Sequence, residues 1–202
     1  MELRDALTQI SEIRLQLARN EVFRGYRAMP VAFSGGIAIL AAFIQSATIP
    51  DPVGRVGPYL MLWIGAAVVS ALAAGLEMMI RARNSSSSMT RELTWLALEQ
   101  FCPSLMAGAL LTVVIVRAAP ESLWMLPGLW QILYCLGIFA SCRLLPRPTF
   151  WVGVFYLGTG LAVVALAHGD SALSPWSMGL PFGVGQMLAA LVLYCTLERD
   201  HA

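Results

Sequence analysis

The sequence predicts an all-α, polytopic membrane protein: six transmembrane helices arranged as three helical hairpins, with a cytoplasmic amphipathic helix at the N-terminus. Three observations predict it. Of 202 residues, 58% are hydrophobic and only 12% charged, where a soluble domain carries about 25% charge. Mean hydropathy is +0.70. Six apolar runs reach or approach the roughly 20 residues that a helix needs to cross the hydrocarbon core. Backbone groups in lipid must bond within their own segment, so each run reads as a helix.

The first element is residues 1–28. Leu3, Leu7, Ile10, Ile13 and Leu17 recur at helical spacing among Glu2, Asp5, Glu12, Glu21 and several arginines. Leu15 and Val22 fall off that stripe, so a regular heptad register is not kept. The charged, amphipathic profile is wrong for a signal peptide, so the first apolar run is expected to be retained. A membrane-surface helix and a partner-binding helix are both open readings.

The six-helix transmembrane region follows at 29–197. Its runs are 29–47, 58–80, 101–118, 122–142, 149–167 and 176–197. Between the second and third lies a polar stretch, 81–100. There RNSSSSM reads as a tether. TRELTWLALEQF restarts a helix, with Ser88 or Thr90 as N-cap and Glu92 near the positive end of the dipole. A short tail, 198–202, closes the chain.

Arginine placement orients the bundle. All thirteen basic residues are arginine, and only Arg55 and Arg117 fall in loops on the far side from the N-terminus. The positive-inside rule then places both termini in the cytoplasm. Arginine codons are GC-rich and lysine codons AT-rich, so the expected source is a GC-rich bacterium and the expected location its inner membrane. The far loops (TIPDPVGRV, AAPE, HGDSALSP) are short, each with a proline.

The odd spans share an entry motif: Pro30 with Gly35, Pro103 with Gly108, Pro148 with Gly153. Proline suits a first helical turn, and glycine one turn on permits close helix contact. The even spans carry Trp63, Trp124 and Trp176 near the far interface, and ILYC at 132–135 is echoed by VLYC at 192–195. This spacing predicts a helical hairpin used three times. Ala67, Ala71 and Gly75 form a small-residue ridge on the second span, and Gly179 and Gly183 another on the sixth. Pro181, with Gly183 and Gly185, marks a hinge or a packed kink.

Ser70, Gln131 and Gln186 fall near the centres of the even spans. An amide in hydrocarbon is costly unless bonded. Three converging helices would let these groups bond one another, as interhelical glue or as a polar path for a small solute. Glu77, seven residues after Ser70 on the same face, is a salt-bridge partner for Arg81 or a gate residue at the mouth of that path. Ser70, Gln131, Gln186 and Glu77 are therefore the candidate intramembrane polar site.

Other chemistry lacks its residues. The two histidines, His168 and His201, fall on opposite sides of the membrane. There is no His-Glu-x-x-His, no phosphate-binding loop and no pair of carboxylates within a span. Gly183-Val-Gly185 lacks the third glycine of a dinucleotide site. Ser34, in FSGG, lacks the preceding strand and histidine of a nucleophile elbow. Cys102, Cys135, Cys142 and Cys195 read as small buried apolar residues. We expect no catalytic, metal or cofactor site, and a net charge of +1 gives nucleic acid no strong attraction.

Two function classes remain. One is a regulatory or scaffold protein whose cytoplasmic face docks a soluble partner or a second copy. The other is a transporter or solute-binding subunit for a small uncharged or amphipathic molecule. The charged leader favours the first, and the central polar groups favour the second.

Overall fold

The structure, a computed structural model, describes residues 28–84, 88–142, 144–167 and 171–198. The predicted N-terminal amphipathic helix and the last residues of the tail lie outside them. The described chain is all-helical. Its elements are α1 (Ala28–Thr48), α2 (Val56–Asn84), α3 (Ser88–Ala118), a 3-10 segment (Pro120–Met125), α4 (Leu126–Ser141), α5 (Thr149–Leu166) and α6 (Pro175–Leu193), which runs into a π-type turn at Tyr194–Glu198. Six stretches within them are long and apolar enough to cross a membrane, as a multi-pass membrane protein requires.

The tightest contacts join α1 to α6 and α4 to α5. Both pairs are built on small residues. A Cβ added to Gly179 of α6 would lie 2.5 Å from the Cβ of Ala42 on α1. A Cβ on Gly160 of α5 would lie 2.8 Å from the Gly128 carbonyl of α4, and one on Gly128 would lie 2.6 Å from the Gly160 carbonyl. In lipid no hydrophobic force drives helices together, so backbones that approach this closely gain the dispersion contacts that hold the bundle.

α2 and α3 are peripheral. Only 11% of each of their spans is buried, against 44% for α6. α2 is anchored by its first turns, where Tyr59 and Trp63 pack on Ala41 and Ala42 of α1 and on Leu173 and Met178 at the entry to α6. This defines the far end of the bundle. At the near end, where α1 begins and α6 finishes, Val31 packs on Ala190 and Leu193.

Four expectations meet a different local structure. The stretch after the tether does not end before the third span: α3 runs unbroken from Ser88 to Ala118. Pro103 therefore sits inside a helix, whereas Pro30 is in the first turn of α1 and Pro148 immediately precedes α5. The Pro-x4-Gly spacing recurs, but its three prolines occupy three different positions relative to helix ends. The ridge on α2 is not packed against other described residues: Ala67 and Ala71 are exposed, and a Cβ on Gly75 would meet nothing described within 4 Å. Of the four cysteines, only Cys135 is fully buried; Cys102 and Cys195 are exposed, which a thiol in a lipid-facing position tolerates as a small apolar group.

Candidate functional site

α6 contains Pro181. Proline has no backbone N–H, so the carbonyl four residues earlier, Ser177, loses its helical partner. Gln131 of α4 supplies the replacement: its Nε2 donates to Ser177 O at 2.9 Å, and also to Pro127 O of its own helix at 3.1 Å. One turn earlier the same solution appears. The Ser177 N–H donates to Ser174 O, which leaves Leu173 O outside the helical pattern. Gln45 of α1 donates to that carbonyl from Nε2 at 2.7 Å. The Gln45 oxygen in turn accepts from Trp63 Nε1 of α2 at 2.7 Å.

Leu173 and Ser177 are four residues apart, one turn of helix. The entry to α6 is thus held by two amides from two different helices, α1 and α4, and the first is locked by a tryptophan from a third. Gln45 and Gln131 are both completely buried. In a medium without water an unbonded carbonyl is costly, and these side chains are the donors that remove the cost.

Gln186 works differently. Its Nε2 donates to Tyr134 Oη of α4 at 2.6 Å. Tyr134 stands among rings: Tyr156 at 4.9 Å, Phe101 at 5.3 Å and Phe182 at 5.5 Å between centroids, all near edge-to-face. That geometry is favourable for aromatic quadrupoles. Gly185 gives the room, since a Cβ there would lie 2.5 Å from the Tyr156 ring. The polar group at mid-bundle is enclosed by an aromatic cluster drawn from α3, α4, α5 and α6.

Gln131 and Gln186 therefore face the bundle interior, and each is spent on α4–α6 contact. They do not bond one another, and neither takes Ser70 as its hydrogen-bond partner. Ser70 and Glu77 are half-buried on α2, and Glu77 interacts with its surroundings. The three central polar groups do not form one mutually bonded set. One concavity at the surface of the described bundle is an apolar groove between α1 and α6, of about 330 Å³, lined by Ile39, Gly183, Val184, Met187, Leu188 and Leu191.

A second pairing was not visible in the residue pattern. Trp130 Nε1 of α4 donates to Thr112 Oγ1 of α3 at 2.9 Å, and Thr112 donates on to Gly108 O. Trp63 and Gln45 are separated by 18 residues, and so are Trp130 and Thr112. In both cases a tryptophan N–H on one helix reaches a polar side chain on the helix before it. Sequence spacing instead aligned Trp63 with Trp124 and Trp176; Trp176 is exposed and lies edge-on to Phe43. Gln45 carries the same signal as Gln131, an amide inside an apolar run, but on an odd helix, outside the even-helix pattern.

Among the described residues no group of three or more histidine, cysteine or acidic side chains could hold a metal ion. A scan against protein-family models, a search of curated proteins and a search of solved structures each returned no match.

Proposed function

We propose that this is a non-enzymatic protein of a bacterial inner membrane, with both termini in the cytoplasm, whose cytoplasmic face carries a regulatory or scaffold interaction. One observation supports this most: the buried Nε2 groups of Gln45 and Gln131 donate to backbone carbonyls just before and within the first turn of α6. Groups committed to helix carbonyls serve architecture. The near ends of α2 and α3 add to the reading, because both helices continue past their spans, to Asn84 and back to Ser88. Arginine bias assigns that end to the cytoplasm, where the leader 1–28 also lies. Its apolar stripe is then buried against a second copy or a soluble partner.

Deleting residues 1–24 and purifying the remainder tests this. Loss of the native oligomeric state or of co-purifying partners is the expected result. Retention of both reduces the leader to a surface anchor and removes the proposal. The transporter or solute-binding reading is favoured by a different observation: the Gln131 Oε1 atom is buried without a partner.

A further inference from the structure

The groove between α1 and α6 has walls of one chemistry. Its lining, from Ile39 to Leu191, is entirely apolar, and it encloses about 330 Å³. Neither helix carries an acidic or basic side chain along its length. The floor is a glycine: a Cβ on Gly183 would lie 2.4 Å from Ile39 Cδ1. On the α1 side, Gly36 lies three residues before Ile39 on the same face, and a Cβ there would meet nothing described within 4 Å. Val184, Met187, Leu188 and Leu191 rise beside this low line as exposed side chains.

The groove has a definite depth in the membrane. The sixth span is Pro175–Thr196, so Gly183 lies near its middle and Leu191 toward its near end. Those two residues are about 12 Å apart along the helix axis at ~1.5 Å per residue. One leaflet's share of the hydrocarbon core is about 15 Å. The groove thus runs through the near leaflet from mid-membrane toward the interface.

Size and charge choose among occupants. A stable protein interface engages about 20–30 residues a side, far more than line this groove, which excludes a second copy as its main occupant. The leader joins α1 at its near end, but Glu12, Arg14, Arg19 and Glu21 interrupt its apolar stripe and would have to enter hydrocarbon. A lipid acyl chain has no charge, matches the depth of the groove and already surrounds the protein. In lipid the gain is dispersion: a chain in a trough has protein atoms on both sides, and one on a convex helix face has them on one.

We propose that the α1–α6 groove is a binding site for one acyl chain of a near-leaflet phospholipid. The site is independent of the cytoplasmic role proposed above.

The test places the full chain in phosphatidylcholine liposomes doped with a phosphatidylcholine that carries a diazirine on one acyl chain. After irradiation, adducts are mapped by mass spectrometry. Leu188 in the groove is 39% exposed; Leu72 of α2 and Leu105 of α3, also in the near halves of their spans, are 66% and 46% exposed. Exposure alone would label Leu188 least. The expected result is labelling of Leu188 and Leu191 about fivefold above both comparison leucines, the preference that roughly six extra dispersion contacts confer. It should fall to their level in Val184→Trp and Met187→Trp, which fill the trough from exposed positions and leave the packed core intact. Groove labelling no higher than at Leu72 and Leu105, or unchanged in both filling variants, overturns the proposal. So does labelling that appears only after residues 1–24 are deleted, which assigns the groove to the leader, or a cross-link between copies at Leu188 in place of a lipid adduct.

Discussion

Gln131 on α4 supplies the hydrogen bond that Pro181 withholds from α6. The proline leaves Ser177 O without its helical donor, and the amide, reaching across from another helix, fills the position at 2.9 Å. The proline thus costs the bundle little backbone bonding, and the glutamine gains a reason to be buried in an apolar span. Each residue is unfavourable alone and acceptable beside the other, which makes the pair a specific mark of α4 against α6.

Gln45 makes the companion tie, and its loss would strand two groups at once. Gln45→Leu removes the acceptor of Trp63 Nε1 and the donor to Leu173 O. A destabilisation of about 1–3 kcal/mol is expected from buried groups left unbonded. Ser70→Ala, at a half-buried position, should cost less than about 0.5 kcal/mol. Unfolding titrations in mixed detergent–lipid micelles measure both. Equal costs for the two would mean that Gln45 holds nothing.

Glycines should divide sharply by helix. Gly128→Ala places a Cβ about 2.5 Å from Val164 and 2.6 Å from Gly160 O, so an overpacking cost of roughly 1–3 kcal/mol is expected. Gly75→Ala enters open space on α2 and should gain up to ~1 kcal/mol from helix propensity. The same unfolding measurement reads both. If Gly75→Ala proves as damaging as Gly128→Ala, the free face of α2 is occupied in the native protein.

Sidedness has its own test. Reporter fusions at Ala202 and within the 168–175 loop should give cytoplasmic and periplasmic signals respectively, following the arginine bias. A periplasmic signal at Ala202 would reverse the orientation and with it the placement of the α2–α3 extensions.

The spans were legible because hydropathy and length alone identify them: six apolar runs, six helices. Burial of Gln131 and Gln186 was legible for the same reason, since hydrocarbon penalises a free amide wherever it sits. Their partners were not. Sequence spacing places residues on faces of one helix, whereas α1 meets α6 from opposite ends of the chain. Nothing in the residues near Gln45 announces Leu173, 128 positions away. The continuity of α3 through Pro103 was hidden because a proline reads equally as a first-turn residue and as an interior one that the bundle accommodates.

The central claim is that the intramembrane amides hold helices together, and a double-mutant cycle on Gln131 and Pro181 tests it most directly. Pro181→Ala restores an N–H for Ser177 O, so Gln131 then has less to supply. Unfolding free energies in a bilayer should show Gln131→Leu costing about 1–2 kcal/mol in the native background and clearly less beside Pro181→Ala, a coupling on the order of 1 kcal/mol. Strict additivity, with Gln131→Leu costing the same in both backgrounds, would show that the amide does not replace the missing helical bond and would contradict the account.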